Sequence, residues 1–371
     1  MKKILHLQLL PLLSGVQRVS LNEIIEVRDS HIGQYEFFVA CSSEGELTKQ
    51  LSLLGIRFFI IPELRRSISP YHDLLALYKL YRLIQKHQFD IVHTHSSKTG
   101  FLGRLAAKIA GTTKIIHTVH GFSFPSAKNK INKSIYFLME WVAKFATDEL
   151  IVLNKSDYDI SVNQIRFKPE AVHIIPNGVN VNRFKPRHIK SEIFRVAMVG
   201  RLWEQKNPMC LLKAAKKLLE KYSDIEFHFF GDGEFRLQME QYIHCNGLKD
   251  NVKILGWSNK VDELLPTYDL SVLPSLWEGM PLAILEAQSC GLPVIATDIP
   301  GNSCLINNGV NGYLFPINEY LDLYEKIEYL YLNKEQYELL SKNARENIVE
   351  NYSSSSRNQS VINLYEQIRT N

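Results

Sequence analysis

The stretch "SLWEGMPLAILEAQSCGLPVIATD", residues 275–298, sets one carboxylate, Glu278, just before a Gly-Met-Pro and a second, Glu286, eight positions later. The apolar run at residues 270–273 reads as a buried strand and "PSLWEG" as its exit loop. Pro281 suits the first position of a helix, where its missing N–H costs nothing. The N–H groups of Gly279, Met280, Leu282 and Ala283 then gather at a helix N-terminus, a ready anion site. Glu286 falls about one and a half turns into that helix, where a carboxylate can accept two hydroxyls, as from a ribose. Glu278, on the loop, could accept sugar hydroxyls beyond the phosphates. From spacing alone, a solvated helix with ordinary surface acids accounts for the pair equally well.

A second element favours the chemical reading. "VAMVGRLWEQKNP" ends a strand at Gly200 and places Arg201 and Lys206 in the loop that follows. Fixed cations facing a helix N-terminus are what a departing diphosphate requires, because they stabilise charge that grows as the bond breaks. An Arg and a Lys in a loop are by themselves more often solvated charges. Joined to the Glu-Gly-Met-Pro element, they point to a diphosphate site.

These residues need strands to hold them. Short apolar runs alternate with helical patterns along the whole chain. One series of strand candidates covers residues 3–9, 35–40, 57–61, 91–94, 114–119, 150–153 and 172–175. A second covers residues 195–199, 226–230, 252–255, 270–273 and 294–296. Between them lie helical periods such as "LLALYKLYRLIQKH" and "CLLKAAKKLLEKY". Such alternation implies parallel sheets covered by helices on both faces, and two series imply two doubly wound α/β domains. The seam "IIPNGVNVNRFKPRHIKSE" carries turn formers and no helical period. It separates a first domain at residues 1–184 from a second at 185–352. A helix over 353–371 would follow, packing back on the first domain. Ligands of open parallel sheets bind outside the carboxyl ends of the strands, so the expected site is a cleft between the two domains.

"GRLWEQKNP" followed by "EGMPLAILE" resembles the retaining glycosyltransferases of GT-B fold, family GT4, whose pattern there is Gly-Arg-Leu…Lys and then E-x7-E. "SGVQRV" after the first strand, "HTVHGF", "IIPNGVNVNRF" at the seam and "GLPVIATDIPG" extend the resemblance over almost the whole chain. It implies two Rossmann-like domains facing a central cleft. It also implies that Arg201 and Lys206 grip the donor diphosphate and that Glu286 holds the nucleotide ribose. Glu278 would bind donor-sugar hydroxyls, beside the backbone of Gly279, Met280, Pro281 and Leu282. His120 would contact the donor sugar near its reacting face. Gly15 would let the first loop approach the phosphates, as a residue without Cβ can. The chain departs from the family in having Ser14 where Gly is frequent, and Asn180 where Asp is frequent.

Other candidates carry less. His93 and His95 in "VHTHSSKTG" could be read as a metal pair, but no carboxylate or cysteine cluster supports them, which favours loop packing or acceptor contact. Asp157-Tyr158-Asp159 formally matches a metal-binding DxD, yet it sits at a capped helix start, where residues two apart diverge. "GDGEF" at Gly231 lacks the third glycine of a dinucleotide fingerprint and reads as a strand-to-loop turn.

Two segments in the first domain are amphipathic and basic. One stripe comprises Leu74, Leu77, Tyr78, Tyr81 and Ile84, with Lys79, Arg82 and Lys86 off it. The other has Lys128, Lys130 and Lys133 ahead of Ile135, Leu138, Met139 and Trp141. Either could lie on anionic lipid, or face the core with solvated lysines. The stretch around the first stripe also resembles bacterial transferases that extend lipid-diphosphate-linked saccharides for O-antigen or capsule.

The 371 residues carry a net charge of +4, too mild to suggest nucleic acid. Five scattered cysteines form no CxxC, which argues for a reducing compartment. "MKKILHLQLLPLLSG" mimics a signal peptide, but His6, Gln8 and Pro11 interrupt its apolar run, so it reads as a buried first strand. No stretch reaches the roughly 20 apolar residues of a membrane span. The expected protein is a cytoplasmic, metal-independent glycosyltransferase, peripheral on the inner face of the membrane. It would move a hexose or N-acetylhexosamine from a UDP-sugar to a saccharide acceptor linked to a polyprenyl diphosphate. A GT-B nucleotide-sugar epimerase is the alternative; a dinucleotide-dependent oxidoreductase lacks its glycine motif.

Overall fold

A computed structural model describes residues 1–67, 69–125, 129–187 and 193–367. Lys128 and the charged end of the seam, 188–192, lie outside the described residues. The chain forms two compact units: Met1–Asn177 with Arg357–Asn371, and Gly178–Ser356.

Unit 1 contains strands β1 (Lys2–Leu7), β2 (Tyr35–Cys41), β3 (Arg57–Ile60), β4 (Ile91–His95), β5 (Lys114–Thr118), β6 (Glu149–Val152) and β7 (Val172–Ile174). Its helices are α1 (Gly15–Ser30), α2 (Glu46–Leu53), α3 (Pro70–His87), α4 (Ser97–Ile109), α5 (Lys130–Ala143) and the short α6 (Lys155–Asp159). All pairings are parallel, in the order β3-β2-β1-β4-β5-β6-β7. The signal-like N-terminal run is thus a central strand, with Ile4, Leu5 and Leu7 fully buried.

Unit 2 contains β8 (Phe194–Val199), β9 (Ile225–Phe230), β10 (Val252–Gly256), β11 (Leu270–Leu273), β12 (Val294–Thr297) and β13 (Gly312–Phe315). Around them lie α7 (Pro208–Leu219), α8 (Arg236–Cys245), α9 (Val261–Leu264), α10 (Leu282–Ser289), α11 (Pro300–Ser303), α12 (Tyr320–Leu332) and α13 (Lys334–Asn351). The sheet order is β10-β9-β8-β11-β12-β13, again all parallel. β11, "LSVL", and β12, "VIAT", are buried throughout, as strands covered on both faces must be. β13 had no counterpart in the sequence reading. It is a four-residue edge strand preceded by Asn-Gly, and so resembles a turn.

The last helix, α14 (Ser354–Glu366), runs from one unit into the other. From Arg357 onward it packs within unit 1. There Lys2 Nζ donates to the Tyr365 carbonyl at 3.1 Å and Tyr35 donates to Glu366 at 3.1 Å.

The basic helices differ from expectation. The core face of α3 is Ala76, Leu80 and Ile84, with Leu77 and Tyr81 at its margin. Leu74 and Tyr78 point to solvent, and the Tyr78 hydroxyl accepts from Arg82 at 2.9 Å. The stripe drawn from sequence was rotated because Ala76 is small and did not register as a core residue. On α5 the apolar stripe is itself the outer face. Ile131, Ile135, Leu138 and Trp141 are exposed, and Phe145 just beyond continues the stripe. The buried side of α5 carries Glu140 instead. That carboxylate accepts from Arg104 of α4 at 2.8 Å, and Arg104 is completely buried.

Removing one partner of a buried ion pair leaves the other charge desolvated. Glu140→Ala should therefore cost about 3–5 kcal/mol in urea unfolding with an unchanged slope, whereas Lys155→Ala, whose partner Asp159 is exposed, should cost less than about 1 kcal/mol.

Candidate functional site

In unit 2 the sheet order reverses between β8 and β11, and the loops leaving those two strands diverge to opposite faces, which opens a crevice at their carboxyl ends. Arg201 and Lys206 follow β8; Glu278 follows β11. The two loops are tied together. Leu276 N–H donates to Gln205 O at 2.8 Å, and the Gln205 amide donates to Trp277 O at 2.9 Å. Lys206 Nζ reaches Glu278 Oε1 at 2.5 Å, with both side chains largely buried. The residues expected to hold phosphate and sugar separately thus pair with each other. Spacing could not reveal this, because 72 residues separate them. Arg201 lies over the Trp203 ring, 4.5 Å from its centre.

Glycines outside the anticipated set let these loops lie where they do. A Cβ on Gly231, at φ +142°, would come within 1.9 Å of Gly200 O. One on Gly301 would come within 2.3 Å of Glu278 O. The "GDGEF" turn is therefore a turn, as read, but it also seats the β8 loop. Gly301 closes "GLPVIATDIPG", so a glycine of that family motif lets the chain pass close against the backbone of Glu278.

Pro281 is the N-cap of α10 rather than its first helical residue, with ψ at 125°, so the helix begins at Leu282. Gly279, Met280 and Pro281 form the approach, and Met280 and Pro281 are buried. Glu286 lies inside α10 and is 3% exposed. It is not the solvated surface acid that spacing also allowed. Arg183 grips Asp262 with both arms, at 2.7 and 3.1 Å. Asp262 first, and then Glu286, raise the Arg183 pKa. Asn180, where the family often has Asp, accepts from the N–H groups of Asn182 and Arg183 at 3.1 and 3.0 Å, a turn that either residue can make.

In unit 1, Gly15 opens α1 and is exposed. A Cβ there would meet no other atom, so packing does not demand glycine. His120 follows β5 and is partly buried. His93 and His95 lie at the strand end, within β4, and are wholly buried rather than packed in a loop. They do have a carboxylate nearby. Glu23 of α1 approaches His93 Nδ1 to 3.4 Å, a neighbour that local spacing could not show. His6, His93 and His95 offer ring nitrogens within 4.8 Å of one another. Asp157 and Asp159 diverge, as read: the Asp157 N–H is capped by Asn154 at 2.9 Å, while Asp159 pairs with Lys155 at 2.8 Å. Burial raises Asp157 to about 6. A cavity of about 700 Å³ between β3 and α3, lined by Phe58, Ile60, Lys79, Arg82 and Lys86, holds none of the anticipated site residues.

Residues 15–183 match the family described as Glycosyltransferase Family 4, and residues 181–347 match Glycosyl transferases group 1. The chain is 41% identical to the UDP-Gal:alpha-D-GlcNAc-diphosphoundecaprenol alpha-1,3-galactosyltransferase of Escherichia coli, over 98% of this chain and 96% of that one. It is 31% identical to the putative glycosyltransferase EpsD of Bacillus subtilis, over 77% and 79%. Among solved structures, Anabaena HepE in complex with UDP and glucose superposes with a TM-score of 0.83 at 20% identity, covering 98% and 99% of the two chains. That likeness establishes the fold, GT-B. The chain belongs to glycosyltransferase family 4 and is a glycosyltransferase.

Gly231→Ala forces a Cβ into Gly200 O and strains the backbone. It should cost at least about 1–3 kcal/mol in urea unfolding, whereas Gly15→Ala should change stability by less than about 0.5 kcal/mol.

Proposed function

We propose that this enzyme transfers galactose from UDP-galactose to an N-acetylglucosamine carried on a polyprenyl diphosphate, with retention at the anomeric carbon and without a metal ion. The observation that carries the reading is the Lys206–Glu278 pair, 2.5 Å apart at the approach to α10. Similarity to a galactosyltransferase of that specificity over nearly the whole chain supports the choice of substrates.

An ammonium has three donors, so Lys206 keeps one on Glu278 and gives the others to the diphosphate. Arg201 adds a second cation, and the N–H groups of Gly279, Met280 and Leu282 face the same anion. Glu286 accepts the ribose hydroxyls, Glu278 a sugar hydroxyl, and His120 contacts the sugar near its reacting carbon. Gly15 leaves room for the phosphates. A carboxylate held by an ammonium at 2.5 Å is a poor nucleophile, which disfavours a covalent glycosyl-enzyme. Instead the acceptor oxygen bonds to the anomeric carbon on the face from which the diphosphate leaves. The bond from that carbon to the diphosphate breaks, and the departing oxygen takes the acceptor's proton. The protein supplies position and a fixed field.

The acceptor's lipid calls for a bilayer, and no described helix is long and apolar enough to cross one. The exposed stripe of α5, Ile131, Ile135, Leu138, Trp141 and Phe145, has Lys130, Lys133 and Lys144 beside it. Apolar residues flanked by cations suit the anionic inner face of the cell membrane. Leu138→Glu with Trp141→Glu should abolish sedimentation with phosphatidylglycerol vesicles while leaving the melting temperature unchanged. Equal sedimentation of variant and parent would remove α5 from the membrane contact.

The first assay is a thermal-shift panel of UDP-, GDP-, ADP- and dTDP-sugars, each with and without EDTA. At a hundred times its Kd a ligand stabilises by about 2.7 kcal/mol, so UDP-galactose should raise the melting temperature whether or not EDTA is present. Lys206→Ala should keep the fold and lose about 100-fold or more in kcat. A shift that EDTA erases, or a variant with near-normal turnover, would defeat the metal-free phosphate site.

A further inference from the structure

A chain of hydrogen bonds runs inside unit 1 from Glu23 to His120, and it has a direction. Glu23 is buried and accepts from Arg357 at 3.0 Å. Burial alone would raise its pKa, but hydrogen bonding from His93 and the charge of Arg357 hold it well below the usual carboxylate range. It is therefore ionised and has only acceptors. Tyr365 must donate to it, at 2.8 Å. The Tyr365 oxygen is then left to accept from His93 Nδ1 at 2.8 Å, whose one N–H also reaches Glu23 at 3.4 Å, and from His6 Nε2 at 3.3 Å. His93 closes consistently, because its Nε2 accepts from Thr118 at 2.8 Å.

Burial pushes His6 and His120 down to about 3 and His95 well below its ordinary value, so each ring carries one proton. With its proton on Nε2, His6 has a bare Nδ1, on which Ser20 and His95 Nε2 converge, each at 3.1 Å. Two bare nitrogens cannot face each other at that distance, so His95 carries its proton on Nε2. Its Nδ1 is then bare and accepts from His120 Nε2 at 3.2 Å.

We propose that Glu23, Tyr365, His6 and His95 are positioning residues that fix His120 in one tautomer, protonated on Nε2 and bare on Nδ1. His120 then meets a ligand hydroxyl as an acceptor. The same direction disfavours a metal at His6, His93 and His95, because each ring nitrogen already has a complementary partner. The hydroxyl contact rests on the reading of His120 given above; the tautomer does not.

The test uses the full chain with 15N-labelled histidine, without ligand. A long-range 1H–15N correlation reports which nitrogen is protonated, and His120→Gln assigns the signal. In the parent, Nε2 should be protonated and Nδ1 bare. Tyr365→Phe keeps the Glu23–Arg357 pair but cuts the link, so His120 should show both tautomers, and kcat should fall by about tenfold or more. In Glu23→Gln the new amide can donate to the Tyr365 oxygen and reverse the chain, so His120 should gain a proton on Nδ1. A parent protonated on Nδ1, or a tautomer unchanged in both variants, overturns the proposal; the parent spectrum decides even if a variant fails to fold. Normal turnover by His120→Ala, with the tautomers behaving as expected, would instead remove His120 from the sugar.

Discussion

A parallel sheet buries every strand, so it can meet a ligand only where its loops part company. The placement of the candidate site in unit 2 follows from that constraint. The loops leaving β8 and β11 diverge at the one reversal of strand order, and Arg201, Lys206 and Glu278 sit on those loops. Divergence alone would leave two independent, mobile segments. Backbone contact between Leu276 and Gln205, and the absence of side chains at Gly231 and Gly301, bring them back together. The ion pair between Lys206 and Glu278 is formed on this frame rather than forming it.

The two units handle charge in opposite ways. Unit 2 keeps its cations at a crevice, with Lys206 neutralised by Glu278 and Arg201 resting on an indole. Those charges are poised, since an ammonium that has one partner still has donors to give. Unit 1, at its polar centre, takes charge out of water altogether. Glu23 and Arg357 are buried beside His6, His93 and His95, at a desolvation cost that their ion pair and the hydrogen bonds around it must offset. Such a network adds little net stability. Its return is a fixed orientation and protonation for every group in it.

Most of the architecture was legible in the sequence because buried parallel strands are short apolar runs, and runs such as "FHFF" and "LSVL" have no competing reading. β13 was not, because an edge strand with Asn-Gly before it has the composition of a turn. The register of α3 was missed because alanine at 76 counts for little in a pattern drawn from large side chains. At the site, charged residues in family motifs could be read directly, whereas their pairing could not, since Lys206 and Glu278 meet only through the sheet. The histidine chain lay further out of reach. Its members come from residues 6, 23, 95, 120 and 365, and periodicity links none of them.

α14 leaves unit 2 and finishes unit 1. Glu23 is made early in synthesis, and Arg357 and Tyr365 emerge only after all of unit 2. Until then the polar centre of unit 1 lacks both the cation and the hydroxyl that satisfy it. Unit 2, whose residues are contiguous, can settle first as it leaves the ribosome, while unit 1 waits open for its last helix. A chain cut short before residue 357 would thus leave one face of the unit 1 sheet without its cover, and not merely lose a tail.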